Sequence, residues 1–185
     1  MRRQLLGLFA SVGLVAACSS SEPDSGGASG SFQVKDGTFI RNTIVGDQYT
    51  VILADVAPLC QAFADKTCPA ALNEFRITLD NPTTVTAGTF DVVIPGEGNN
   101  PLIAPAAGTA WVFYNGLSKG GLEGGGFATG TLILTRVDDH VAGSYDLKFA
   151  SGFIQANGGY GPGQASGTFD SVDCGLDILD TTYCK

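Results

Sequence analysis

Apolar and polar residues alternate most clearly between Thr131 and Phe149, TLILTRVDDHVAGSYDLKF. Val141, Tyr145, Leu147 and Phe149 alternate there with Ala142, Ser144, Asp146 and Lys148, the period of two that marks a strand with one buried face. Just upstream, Leu132 and Leu134 alternate with Ile133 and Thr135. The stretch predicts a hairpin turning at Asp139 and His140, with Leu134 opposite Tyr145 and Leu132 opposite Leu147. A slip of one residue would carry both leucines to the polar side, so the pattern selects this parity.

The same reading extends along the chain. Phe32–Ile40 and Gln48–Ala54 read as the first strands, with Gly46-Asp47 as a turn signal between them. Residues 57–75 break the strand pattern. A short helix is expected near residues 58–67, with Pro58 in its first turn and Pro69 ending it. Arg76–Leu79, Thr89–Ile94 and Ala110–Tyr114 return to strand character, and the residues 95–108 and 117–126 read as loops rich in Pro and Gly. Phe153–Ala156 and Ala165–Phe169 complete eight or nine strands. The predicted fold is all-β, an antiparallel two-sheet sandwich or a flattened barrel. Low charge, at 15% of residues, and 26 glycines agree with a turn-rich β domain.

Before this body the pattern is different. Met1–Cys18, MRRQLLGLFASVGLVAAC, has two arginines and then an apolar run from Leu5 to Ala17. The run is shorter than the roughly 20 residues of a membrane span and fits a secretory signal. Val15-Ala16-Ala17-Cys18 resembles the lipobox of bacterial lipoproteins. The resemblance implies cleavage before Cys18 and acylation of that cysteine, and hence membrane attachment through buried acyl chains. Ser19–Ser31 is small, polar and rich in Gly and Ser, as a flexible tether would be. The expected organisation is therefore a signal peptide over residues 1–17, lipidated Cys18 and tether over 18–31, and one β domain over 32–185. Ser19 and Ser20 stand where an inner-membrane retention signal often has Asp, which leans the expectation towards the outer membrane of a bacterial envelope.

The formal net charge is −8, from 10 basic and 18 acidic residues. Without Arg2 and Arg3 it becomes 8 minus 18, or −10. No basic run follows residue 3, which argues against a nucleic-acid partner. An envelope protein or a glycan remains as the expected kind of partner.

Apart from Cys18, the chain has Cys60, Cys68, Cys174 and Cys184. An even set in an exported domain predicts two disulfides. Local pairing, Cys60–Cys68 with Cys174–Cys184, is simplest. A fully helical 60–68 would separate that first pair by about 12 Å, too far for a bond. The crossed pairing, Cys60–Cys174 with Cys68–Cys184, is slightly favoured, and both stay open. Zinc is disfavoured, since no CxxC and no histidine accompanies the cysteines.

Candidates for chemistry are few. His140, the only histidine, has no G-x-S-x-G nucleophile to serve. Lys119 and the neighbouring glycines lack the Walker spacing. Asp170, Asp173, Asp177 and Asp180 miss the calcium-loop pattern. Glu97 and Glu123 form a conceivable carboxylate pair for glycoside hydrolysis. Trp111 and Tyr114 have opposite parity and so cannot form one sugar platform; Trp111 shares its face with Phe113, which predicts a core position. No catalytic residue, metal or cofactor is assigned on this basis, and the expected function is a non-enzymatic envelope structural or binding module. The alternative is a ligand- or carbohydrate-binding module with loops 95–108 and 117–126 at its site.

One motif repeats: Gly88-Thr89-Phe90-Asp91, Gly143-Ser144-Tyr145-Asp146 and Gly167-Thr168-Phe169-Asp170. Strand alternation predicts rings inward and aspartates outward at all three. Cys60, the Gly143–Asp146 stretch and Gly167–Cys174 together resemble small uncharacterised lipoproteins of myxobacterial-type proteomes. That resemblance implies architecture and location, and no chemistry.

Overall fold

The structure, a computed structural model, describes residues 32–42, 48–66, 71–80, 85–96, 105–118, 121–149 and 163–175. The signal, Cys18 and the tether lie outside this set, as do Cys68, Cys184, Glu97, Asp177, Asp180 and the expected strand Phe153–Ala156. The described fold is all-β with one short helix. Its elements are β1 (Asp36–Asn42), β2 (Gln48–Ala54), α1 (Leu59–Ala64), β3 (Ala71–Leu79), β4 (Gly88–Val92), β5 (Thr109–Ser118), β6 (Gly121–Val137), β7 (His140–Phe149) and β8 (Gln164–Asp173).

The strands hydrogen-bond in the order β1-β2-β3-β5-β4-β6-β7-β8, and β8 returns to β1, so the circuit is closed. Most pairs are antiparallel, but two are parallel, which the sequence reading did not anticipate. One is β4–β5, at Asp91↔Thr109 and Val92↔Ala110. The other is the β1–β8 closure, at only Thr38↔Val172 and Phe39↔Asp173.

That closing seam is short and is reinforced locally. The Thr38 hydroxyl donates to the Val172 carbonyl at 2.9 Å. Gly37 lets the Ser171 side chain approach β1; a Cβ there would collide with the Ser171 hydroxyl. The Asp36 carboxylate accepts from its own neighbour Gly37 N–H and from Leu59 N–H at the start of α1. Cys60, in the first turn of α1, is bonded to Cys174 just past β8, with Cα atoms 5.4 Å apart. The helix is shorter than expected. Pro58 sits at its N-cap rather than inside it, and the helix stops at Ala64, well before Pro69.

The central hairpin forms with a different register. Val137 pairs with Val141, which leaves Asp138, Asp139 and His140 between them, and the chain bends at Asp138–Asp139. A bulge at Thr135 then shifts the ladder once more, so Leu132 lies opposite Tyr145 and Leu134 opposite Gly143. Two one-residue displacements leave parity unchanged. Leu132, Leu134, Tyr145 and Leu147 therefore still face one core, although neither expected pairing occurs. Gly143 is required where Leu134 sits opposite: a Cβ there would strike the Ile133 carbonyl oxygen.

Residues 117–118 and 121–126 are strand rather than loop. Leu117 and Ser118 continue β5, and Gly121–Gly126 begin β6, with Ser118 paired to Gly121 and Tyr114 to Gly126. Glu123 is the extra residue of a bulge between Leu122 and Gly124. Likewise β3 begins at Ala71, five residues before the expected Arg76, and β1 begins at Asp36 rather than Phe32.

The interior holds one apolar cluster of aromatic and aliphatic side chains. Phe75 of β3 stacks on Phe149 and meets Tyr145 edge-on, both from β7, a strand that is not its neighbour in the sheet. Tyr114 adjoins it from β5, and Phe32, ahead of β1, lies 4.0 Å away between ring centroids. Rings thus meet across the centre of the circuit. A second, smaller apolar cluster lies outside it, where Leu59 and Phe63 of α1 cover Ile40, Ile52, Ala54 and Leu72.

Candidate functional site

The outer surface is divided unequally. Over β1, β2, β3 and β5, most outward residues, Thr38, Ile40, Thr50, Ile52, Ala54, Leu72, Glu74, Trp111 and Asn115, are buried, and Arg76, Thr78 and Phe113 are half-buried. Over β4, β6, β7 and β8, the outward residues are largely exposed. The first half is a covered wall and the second a bare one.

Trp111 and Phe113 belong to the covered wall. Trp111 is buried, as expected, and Phe113 is half-buried, while Ala110, Val112 and Tyr114 belong to the main interior cluster. Both faces of β5 are buried there, so its alternation does not identify the inside. Phe113 packs edge-on against Phe127 of β6. Beside them the Glu74 carboxylate is fully buried, 2.6 Å from the Arg76 Nε and accepting from the Asn115 amide at 2.8 Å. A buried charge persists only when paired and hydrogen-bonded, and this one is both. The sequence reading missed this network, whose signal is the spacing of Glu74 and Arg76, two residues apart on one strand face.

Tyr114 ends a second network. Its hydroxyl donates to the Asn73 side-chain oxygen at 2.6 Å, and the Asn73 amide donates to Asp55 at 2.7 Å. Burial first, and the Asp55 charge second, push the Tyr114 phenol well above its ordinary range; burial also raises Tyr145. In the unfolded chain both ionise near pH 10. Stability from keeping them neutral is therefore complete below pH 10 and declines as pH rises beyond it. In an alkaline titration followed at 295 nm, part of the absorbance of the five tyrosines is expected to appear late, together with loss of the circular-dichroism signal. A single reversible step near pH 10 with the fold intact would contradict this.

The bare wall carries the repeated motif. Strands β4 and β7 both run antiparallel to β6, so their motifs fall in the same rows. One row reads Thr89, Ile133, Ser144, Thr168; the next reads Asp91, Thr131, Asp146, Ser166. Below them Thr129, Lys148 and Gln164 make a third. The rings Phe90, Tyr145 and Phe169 all point into the core, and Asp91, Asp146 and Asp170 are all exposed.

At the rim of this wall is a charged cluster. Arg136 binds Asp138 through Nε at 2.7 Å and reaches Asp139 through Nη2. That Arg136 bond, with the His140 backbone N–H, holds the Asp138 carboxyl far below the usual carboxylate range. His140 Nδ1 lies 2.7 Å from Asp170 Oδ1. Among the described residues no hydroxyl is hydrogen-bonded to the other ring nitrogen. The His–Asp pair clamps β7 to β8 beside the turn. Asp173 accepts from Gly175 N–H, and no three acidic, His or Cys side chains among the described residues converge as metal ligands do.

The remaining candidates divide simply. Cys60 and Cys174 are bonded to each other, as the crossed pairing has them; Cys68 and Cys184 fall outside the described set. Glu123 lies in β6 rather than in a loop, and Glu97 is outside the described residues. Comparison with protein-family models, with curated proteins and with solved structures finds no match for this chain.

Proposed function

We propose that the protein is an exported bacterial lipoprotein, held to the cell envelope by acylated Cys18, with its β domain acting as a non-enzymatic binding or structural module. The observation that carries this reading is Met1–Cys18, with charge, apolar run, small residues and cysteine in lipobox order, followed by a Gly/Ser tether. In this reading attachment rests on acylated Cys18, and Ser19 and Ser20 lean it to the outer membrane. The Cys60–Cys174 bond fits an oxidising compartment. In the same reading the closed circuit is a flattened barrel whose bare wall is the working surface.

The Cys18→Ser variant is expected to lose acyl labelling and to leave the membrane fraction, while its β domain keeps the wild-type circular-dichroism spectrum. A wild-type protein that takes up no acyl label, or a variant that keeps the label, would overturn the proposal.

A further inference from the structure

The geometry points to the bare wall of β4, β6, β7 and β8 as a docking surface for a cationic polypeptide segment, centred on Asp91, Ile133 and Asp146. This rests on the reading of the protein as a binding module and adds the chemistry of its partner.

The wall and its rim carry Asp91, Asp138, Asp139, Asp146 and Asp170, against Arg136 and Lys148. The rim aspartates are engaged: Asp138 and Asp139 by Arg136, and Asp170 by His140. Asp91 and Asp146 have no ion-pair partner among the described residues. They stand in one row, two strands apart, which is about 9–10 Å at the ordinary strand spacing. Strand register fixes that separation, because each is held by its own ladder to β6.

Thr131 occupies the same row, and Ile133 stands in the next row, 41% exposed among hydroxyls and carboxylates. A lysine reaching Asp91 or Asp146 can lay its methylene stem along this isoleucine while its ammonium meets the carboxylate. A carboxylate pair flanking an exposed aliphatic side chain therefore matches basic side chains better than a small cation. The alternatives fit less well. The motif rings face inward, so this part of the wall offers a sugar no stacking surface. A second copy would bring the same negative charges face to face.

The test is fluorescence anisotropy of a labelled octalysine peptide with the full-length protein in neutral detergent. Binding at low ionic strength is expected, weakening at physiological salt. Asp91→Asn/Asp146→Asn should weaken it about tenfold, as the loss of two exposed charge pairs implies. Ile133→Ser, which changes no charge, should weaken it about threefold through loss of aliphatic contact. Asp65→Asn, beyond the end of α1, should leave it within about twofold, as a distant surface charge does. Absence of binding at low salt, an unaffected double variant, or an equal loss in Asp65→Asn would overturn the proposal, as would preferential binding of a neutral oligosaccharide to the same residues. Acyl labelling of Cys18 is read separately, and Cys18→Ser should bind the peptide as the wild type does, so failure of the anchor and failure of the wall are distinguishable.

Discussion

Replacing both Cys60 and Cys174 by serine is expected to lower the unfolding free energy by about 4–5 kcal/mol, from the chain entropy released when a loop of this length is no longer closed. The two cysteines are 114 residues apart in sequence, so the bond restrains most of the unfolded domain. It also acts where the native circuit is thinnest. The antiparallel β7–β8 ladder runs from His140↔Val172 to Lys148↔Gln164, whereas β8 meets β1 at two positions. Denaturant unfolding of the double variant measures the loss. Hydrogen exchange locates it: amides near Thr38 and Val172 should lose protection before those of the β6–β7 ladder. Stability within about 1 kcal/mol of the wild type would show that the seam holds without its covalent link, well outside the usual range for a native disulfide. Replacing both cysteines leaves neither as a free partner for Cys68 or Cys184.

Phe75→Ala is expected to cost about 3–5 kcal/mol, the usual range for truncating a fully buried aromatic. Phe75 is completely buried and touches four other rings, from Phe32, Tyr114, Tyr145 and Phe149. These come from elements on different sides of the circuit, so neighbours cannot collapse into the space without bending several strands. The denaturation midpoint should fall with little change in the dependence on denaturant. Phe113→Ala is the comparison: Phe113 is only partly buried, on the covered wall, and its loss should cost clearly less. If the two variants were equally stable, the packing centre would lie elsewhere.

How much of this was legible in the chain depended on whether side chains carried the pattern. In β7 the alternation of Val141, Tyr145, Leu147 and Phe149 states which side is inside, and the structure agrees. The motif aspartates were legible for the same reason. The Gly121–Gly126 stretch failed because glycine has no side chain to alternate; its place in β6 is decided by backbone pairing to β5. Trp111 was legible as a buried position, but both faces of β5 are buried, so its parity relative to Tyr114 does not say which face joins the main interior cluster. The turn at Asp138–Asp139 and the bulge at Thr135 were hidden because together they restore the parity that alternation reports. Glu74 was passed over because charge usually marks an exposed face, and here the tertiary cover reverses that rule. The parallel closure of β1 on β8 has no local signature, since it joins residues 134 apart.

The covalent link across the seam also sets how the molecule would answer mechanical load. Tension between the two chain ends would draw out only the residues outside the crosslink. The 114-residue span between Cys60 and Cys174 stays bypassed, withholding about 390 Å of contour length at roughly 3.4 Å per residue. Under traction from the amino-terminal side, Phe32 would leave its seat on Phe75 and β1 would peel from β2, while β3 to β8 carried almost none of the strain.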